Sequence, residues 1–482
     1  MIVFYYLILE LNDESISYIK STHEINQLIY HGARFCVKQK NLSSILWRCV
    51  KGNCPASISI SNNNIVLRKN ENHNHLIDSN EIKVLELRHK LKKDAQSSSE
   101  PIDKIVELGY SNMITTQKIN DSVVKFPTMK TLKNTVSRQR RQIRPPLPKS
   151  LDDLPHPLPP LYTITKKKLN FLLYDGILGQ KRGLIFASQN DIEYLAYQKF
   201  WYADGTFYTS PSIFYQIYSI HTFDEGLSTP CVFALLPDKF ESTYLDLFSI
   251  LIKKIMEISN IIRLECITID YELAVKNVFC KHFPHVEVKG CLFHYGQALF
   301  RKFVSLNLTT AFHEDESLRL WFRSFAAIAL LPETDMNEAI EYLRSIKPLL
   351  YEKEIDSFLE YHNNTYGINS RFPPKMYNHY RNLKPRTINY LEGRHNRWKK
   401  RSTKSHHDIY ICIDMFKDDQ LLVADERERH EAGAAPPKRR KNTRIAEESL
   451  SRLWDKLEKN QITKEKFLKG AGLRYFQYLE IE

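Results

Sequence analysis

Apolar positions between residues 15 and 76 come in short runs: Ile16-Ser-Tyr-Ile19, Gln27-Leu-Ile-Tyr30, Arg34-Phe-Cys-Val37, Ile45-Leu-Trp47, Ala56-Ser-Ile-Ser-Ile60 and Ile65-Val-Leu67. Gly, Asn and Ser separate them, as hairpins require, so this stretch predicts a small β-rich module. Met1 to Leu11 reads as a further strand. From 81 to 144 the period lengthens to that of a helix. Val84, Leu87 and Leu91 share one face, and Pro101 to Leu108 forms a short helix expected to stop at Gly109. Pro127-Thr128 then opens a third helix with Leu132, Val136 and Ile143 on one side. Pro145-Pro-Leu-Pro148 and Leu154-Pro-His-Pro-Leu-Pro-Pro160 predict a stiff linker over 145–161, the clearest domain boundary.

Beyond the linker, 165–425 reads as one α/β domain. Strands are expected at Phe200–Tyr208, Phe214–Ile220 and Cys231–Leu236, then a helix over 242–257 and the strand Glu265–Asp270. A helix over 272–282 and the short strand Val286–Val288 follow. Three consecutive strands followed by helix, strand, helix, strand is the order of an RNase H-like sheet, in which the first and fourth strands lie side by side. Residues 298–380 read as a helical insertion, Arg386–Trp398 as a helix and Ile409–Leu422 as an amphipathic helix that closes the domain. Residues 426–482 read as a basic tail, helical from Ile445 onward.

Charge changes this picture. The 482 residues carry a formal net charge of +13, which favours a polyanionic partner. The cations cluster. The third connector helix holds Arg138, Arg140, Arg141 and Arg144, fitting either a helix-turn-helix that contacts phosphates or a basic prop for the next domain. The helix near 392 holds Arg394, Arg397, Lys399 and Lys400, and the tail holds Lys438, Arg439, Arg440 and Lys441, which reads as a nuclear localisation signal. No stretch is long and apolar enough to span a bilayer, so no membrane partner is expected. Neither a glycine-rich phosphate loop nor a Ser or Cys nucleophile arrangement is present, and no small-molecule substrate is implied.

Eight cysteines in so long a chain do not form a disulfide framework; a metal explains the clustered ones better. Cys49-x4-Cys54 and His73-x-His75 supply two thiolates and two imidazoles for a closed tetrahedral Zn²⁺ site, which a sheet this small needs. Trp47-Arg-Cys49, Cys54-Pro-Ala and Asn72-His-Asn-His75 resemble the FLYWCH-type zinc finger. That resemblance implies a zinc-stabilised module over 15–76 that binds DNA or a protein.

Asp204 ends one apolar strand and Asp270 another, and two neighbouring buried acids are best explained by divalent metal between them. Taken alone, Asp270 reads as a helix N-cap and Glu392 as a surface glutamate. Together, Asp204-Gly-Thr-Phe, Thr268-Ile-Asp270, Cys291-Leu-Phe-His294 and Arg386-Thr-Ile-Asn-Tyr-Leu-Glu392-Gly-Arg-His resemble the DDE transposase domain of Mutator-like elements. The family's acid triad falls on Asp204, Asp270 and Glu392. Ile388-Asn389 stands where that family often has Asn-Asn. The resemblance implies two Mg²⁺ or Mn²⁺ ions, phosphodiester hydrolysis and strand transfer on double-stranded DNA in the nucleus, and, by analogy, a homodimer. It also implies that the helical insertion helps hold DNA ends. Cys291 and His294 are assigned a structural role, and Trp321 either stacks on a base or lies in the core. The alternative is a domesticated zinc-finger DNA-binding factor that retains the acids without cutting.

Overall fold

The computed structural model describes residues 16–97, 102–116, 126–224, 226–401, 405–435 and 441–476. The strand expected at Met1 to Leu11, and Lys438, Arg439 and Arg440 of the nuclear signal, lie outside the described residues. The chain divides into two compact units, Met1–Pro146 and Leu147–Glu482. No helix among the described residues is long and apolar enough to cross a membrane.

The first unit opens with six antiparallel strands in sequence order: β1 (Ser17–Lys20), β2 (Asn26–Tyr30), β3 (Ala33–Lys40), β4 (Ser44–Cys49), β5 (Ser57–Ser61) and β6 (Val66–Asn70). Each predicted run falls on a strand. Leu28, Tyr30, Phe35, Trp47, Ile58 and Ile60 alternate inward to form its core. Three helices follow: α1 (Asn80–Ser97), α2 (Ile102–Thr116) and α3 (Met129–Ile143). Thr128 caps α3 through Thr131 N–H. Gly109 does not stop α2, which runs about two turns further, to Thr116. A Cβ at Gly109 would lie 2.7 Å from Leu91 Cδ2, so the glycine permits the close approach of α2 to α1.

The second unit holds a seven-stranded mixed sheet. The hairpin β7 (Leu172–Leu178) and β8 (Lys181–Phe186) and the helix α4 (Gln189–Ala196) precede the strands expected from the pattern. Next come β9 (Phe200–Thr206), β10 (Gln216–Asp224), β11 (Leu227–Leu236), α5 (Glu241–Ser259), β12 (Cys266–Ile269), α6 (Leu273–His282) and β13 (Glu287–Gly290). The strand order is β13-β12-β9-β10-β11-β8-β7, so β9 and β12 are neighbours, paired in parallel.

Helices α7 (Leu292–Ser305), α8 (Thr309–Glu314), α9 (Glu316–Ala326), α10 (Met336–Ser345), α11 (Glu352–Tyr366) and α12 (Pro374–Tyr377) occupy the region expected to be helical. Trp321 is core: it is buried and its Nε1–H donates to Leu343 O at 2.8 Å. Then come α13 (Asn389–Arg401), α14 (Ile409–Glu431), α15 (Lys441–Glu458) and α16 (Lys464–Tyr475).

One sheet face buries Trp201, Ala203, Tyr218, Ile220 and Val232 in the larger core, which also contains residues of α4 to α7, α9 to α11, α15 and α16. The opposite face buries Ile217, Phe233 and Leu235 against Trp398 of α13 and Tyr410, Ile413 and Phe416 of α14.

Two expectations are corrected. The stretch expected to be a stiff linker over 145–161 is packed onto the domain in part, because Leu154 and Leu158 are buried in this second core. Nor is 426–482 a tail: α14 continues to Glu431, and α15 and α16 bury Leu450, Trp454, Phe467 and Leu468 in the main core. Trp454 Nε1–H donates to Leu330 O at 2.8 Å.

Candidate metal centre and carboxylate site

In the first unit, Cys49 closes β4 and Cys54 follows in a turn in which Asn53 takes a left-handed conformation, φ 60°. His73 and His75 lie in the loop after β6, and Asn74 Nδ2–H donates to Asn53 O at 3.0 Å, tying the two loops together. Cys49 Sγ lies 3.2 Å from His75 Nε2, Cys54 Sγ 3.4 Å from His73 Nδ1, and the two ring nitrogens 3.3 Å apart. A tetrahedron with Zn–N near 2.0–2.1 Å and Zn–S near 2.3 Å has edges of about 3.3–3.8 Å, so the four donors fit zinc. His75 Nδ1 is 3.0 Å from Leu76 O, which fixes the tautomer that offers Nε2 as the lone pair. Burial, with His75 beside it, lowers the pKa of His73 and favours the neutral ring a metal requires. Among the described residues this is the one group of three or more Cys, His, Asp or Glu whose ligand atoms all lie within 4.8 Å of one another. Cys36, on β3, stands outside it.

The second unit builds a different site. Asp204 lies in β9, two residues before its end, and Asp270 directly follows β12. The parallel register pairs Thr268 with Tyr202, and extending it by two residues on each strand sets Asp270 level with Asp204. Neighbouring strands are about 4.8 Å apart, so sheet geometry itself places the carboxylates together. Gly205 N–H donates to Asp204 Oδ1 at 2.9 Å and Glu272 N–H to Asp270 Oδ1 at 3.2 Å. Glu272, not Asp270, takes the N-cap position of α6. Burial first, then the charges of Asp204 and Glu272, push Asp270 up to about 7. Two buried acids that resist joint ionisation fit a divalent cation.

Glu392 lies in the first turn of α13, with its Oε1 3.1 Å from Nε2 of His294 in the first turn of α7. Burial disfavours a charged His294, but hydrogen bonds with Cys291 and Glu392 and the charges of Cys291 and Asp204 raise it to about 11. Cys291 is fully buried at the N-cap of α7. Its N–H donates to Ile269 O at 2.8 Å, and its Sγ accepts from Ile388 N–H at 3.3 Å. The Cys291-x2-His294 motif thus joins the end of β12 to the approach to α13. It brings Glu392 into the same neighbourhood as the two aspartates, although the three acids do not close to within 4.8 Å.

Several cations expected at phosphates are committed elsewhere. Arg140 follows Leu132 and Val136 at intervals of four, so it shares their inward face and is buried. Arg397 pairs with the fully buried Asp419 of α14, and Arg394 Nη1 approaches the same carboxylate at 3.5 Å. Trp398 Nε1–H completes that cluster at 2.9 Å. Arg138, Arg141, Lys399 and Lys400 are exposed and Arg144 is half-buried; Lys399 Nζ stands 4.7 Å from the Tyr208 ring centroid. Lys441 opens α15 and is exposed. Arg386, quoted in the Glu392 motif, precedes α13 and is buried against Glu447 and Tyr475.

The pattern did not single out Ser219 or His221, and it read His395 only as one of the cations following Glu392. His395 Nδ1 lies 3.5 Å from Asp204 Oδ2, and its Nε2 lies 3.2 Å from Ser219 Oγ. Ser219 Oγ is in turn 3.2 Å from His221 Nε2. His395 follows Glu392 by three positions, so its place on the same helix face was available in the sequence.

Residues 200–298 match the family model of the MULE transposase domain, and residues 18–75 match that of the FLYWCH zinc finger domain. No curated protein matches the chain. Those matched residues contain β9 to β13 with both aspartates, and the sheet that presents the two cysteines and two histidines. The chain combines an N-terminal FLYWCH zinc finger domain with a MULE transposase domain.

Proposed function

We propose that the protein is a nuclear DNA transposase of the Mutator-like class, with an RNase H-like sheet as its catalytic core. The observation that carries this reading is the parallel pairing of β9 with β12, which puts Asp204 and Asp270 at one level. Asp204, Asp270 and Glu392 are the residues that would hold two Mg²⁺ or Mn²⁺ ions. Ions held there would activate a water or the DNA's own 3′-hydroxyl and would neutralise charge on the leaving oxygen. The protein's own part is positional. The two strands hold the aspartates side by side, α13 carries Glu392 toward them, and α7 sets the cationic His294 against Glu392. The zinc module and the exposed arginines of α3 would bind double-stranded DNA largely through phosphates, with Lys399 and Lys400 extending the contact near the acids. The helical insertion would support the DNA ends.

A second reading, a domesticated DNA-binding factor that does not cut, is favoured by one observation: Glu392 faces His294 rather than closing on the aspartates. Cleavage and strand transfer with Mn²⁺ on the flanking DNA of the gene, comparing the parent with Asp270→Asn, separates the two. Metal-dependent 3′-ends that vanish in the variant support the transposase. Zinc-dependent DNA binding without product from either protein supports the factor.

A further inference from the structure

The connection between β9 and β10, residues 207–215, starts directly after the strand that carries Asp204. It leaves three aromatic side chains open: Phe207, Tyr208 and Tyr215 are 46 %, 46 % and 45 % exposed, whereas the neighbouring Phe214 is buried in the second core. The backbone that carries these rings is tied down. Ser210 N–H donates to Phe207 O at 3.2 Å, Phe214 N–H to Pro211 O at 2.9 Å and Tyr215 N–H to Leu236 O at 2.9 Å. From the approach to α14, His406 N–H donates to Tyr208 O at 2.9 Å. The rings of Phe207 and Tyr215 meet edge to face with centroids 5.2 Å apart. Side chains held in this way lose little freedom when a partner arrives, as a recognition surface requires.

Two ammonium groups reach the rings from other elements. Lys239, between β11 and α5, holds its Nζ 5.9 Å from the Tyr215 centroid, and Lys399 of α13 holds its Nζ 4.7 Å from that of Tyr208. Neither lysine forms an ion pair among the described residues. The patch lies at the end of the sheet where β9 delivers Asp204, and Lys399 follows Glu392 by seven positions, about 10 Å along α13. A partner for it must offer flat apolar faces together with negative charge. Duplex DNA offers phosphates but keeps its base faces stacked on one another. An unpaired strand offers both, because its bases can stack on the rings while its phosphates meet the lysines.

We propose that Phe207, Tyr208 and Tyr215, with Lys239 and Lys399, form a stacking platform for an unpaired DNA strand at the carboxylate site. That the strand is DNA rests on the function proposed above; the preference for unpaired over paired bases follows from the open rings. The platform holds bases without reading them, since every base has a face to stack.

The test uses the full chain with its zinc, without Mg²⁺ or Mn²⁺, and a short oligodeoxythymidylate carrying one 2-aminopurine. Stacking quenches this probe, so its fluorescence is expected to fall on binding. Tyr208→Ala and Tyr215→Ala should each weaken binding about tenfold and restore the fluorescence, while Tyr208→Phe and Tyr215→Phe should behave as the parent. Lys239→Gln and Lys399→Gln should each lower the slope of log affinity against log salt by about 0.7 and keep the quenching. Affinity for a blunt duplex should be the same in the alanine variants as in the parent. Equal quenching and affinity in a combined Tyr208→Ala and Tyr215→Ala variant with the parent's melting temperature overturns the platform. An equal loss on blunt duplex does so too. A parent that leaves the probe bright and self-associates through this face, dispersing in the combined variant, also overturns it. Quenching by a parent that makes no product with Mn²⁺ would uphold the platform and sink the transposase reading, whereas cleavage with an unquenched probe sinks the platform alone.

Discussion

At the residue scale, buried histidines make the second unit sensitive to acid. His379 donates Nε2–H to Gly290 O at 2.8 Å and faces Asn382 Nδ2 at 3.0 Å through Nδ1, so both nitrogens are matched in the neutral form. His362 lies 3.0 Å from the Tyr295 hydroxyl. Burial lowers both pKa values to about 3. Between that value and about 6.5 the unfolded chain binds the proton that the folded chain refuses, so stability falls as pH falls. Each ring contributes up to about 1.4 kcal/mol per pH unit in that window. Urea titrations of residues 147–482 between pH 7 and 5 should show this slope, and His379→Gln should flatten it. Equal slopes in parent and variant would refute the assignment.

Arg386 is a second residue with a structural task. It donates to Asn382 O at 2.5 Å, pairs with Glu447, meets the Tyr475 hydroxyl and stacks 5.8 Å from the Trp454 ring centroid. It thereby pins the approach to α13 onto α15 and α16. Arg386→Ala should lower stability by roughly 3 kcal/mol, as expected for breaking a largely buried pair. A denaturation midpoint equal to that of the parent would count against this anchor. Its role could not be read from a motif in which it stands beside a metal-binding acid, because its partners lie 61 and 89 positions further along the chain.

At the element scale, the six strands of the zinc module were legible because alternation and turn residues agree at every hairpin. The β7–β8 hairpin was not. Gly176 and Gly183 interrupt both strands and weaken a signal that depends on branched side chains. Gly179, with φ 67°, makes the turn between them. The role of α16 was hidden for another reason: what it packs on is distant in sequence. A Cβ at Gly472 would lie 2.6 Å from Arg323 O of α9, a backbone atom that cannot rotate away. Gly472→Ala should therefore destabilise by about 2 kcal/mol, although alanine is the better helix former by about 1 kcal/mol. Calorimetry showing a raised Tm would mean that α16 does not sit against α9.

At the scale of the whole molecule, the two units have separate cores and should unfold separately. Nine buried hydrophobic residues form the core of the six-stranded sheet, few enough that it depends on zinc. Chelation should therefore abolish its thermal transition and leave that of the second unit within a few degrees. Coupled loss of both would show that the metal supports more than its own sheet. The acid pair was legible because one strand pairing brings it together. The environment of the acids was not, since His294, His395 and Ser219 reach them from three different elements.

The place of α15 and α16 in the main core also bears on synthesis. A nascent chain can complete its zinc module early, but the larger domain lacks Trp454, Phe467 and Leu468 until residues near 476 have left the ribosome. A product of premature termination would pair a finished FLYWCH module with an open, aggregation-prone second domain. Cells would then see a finished zinc-finger module joined to an unfinished, exposed body, so that the second domain's core closes only when α15 and α16 have been made.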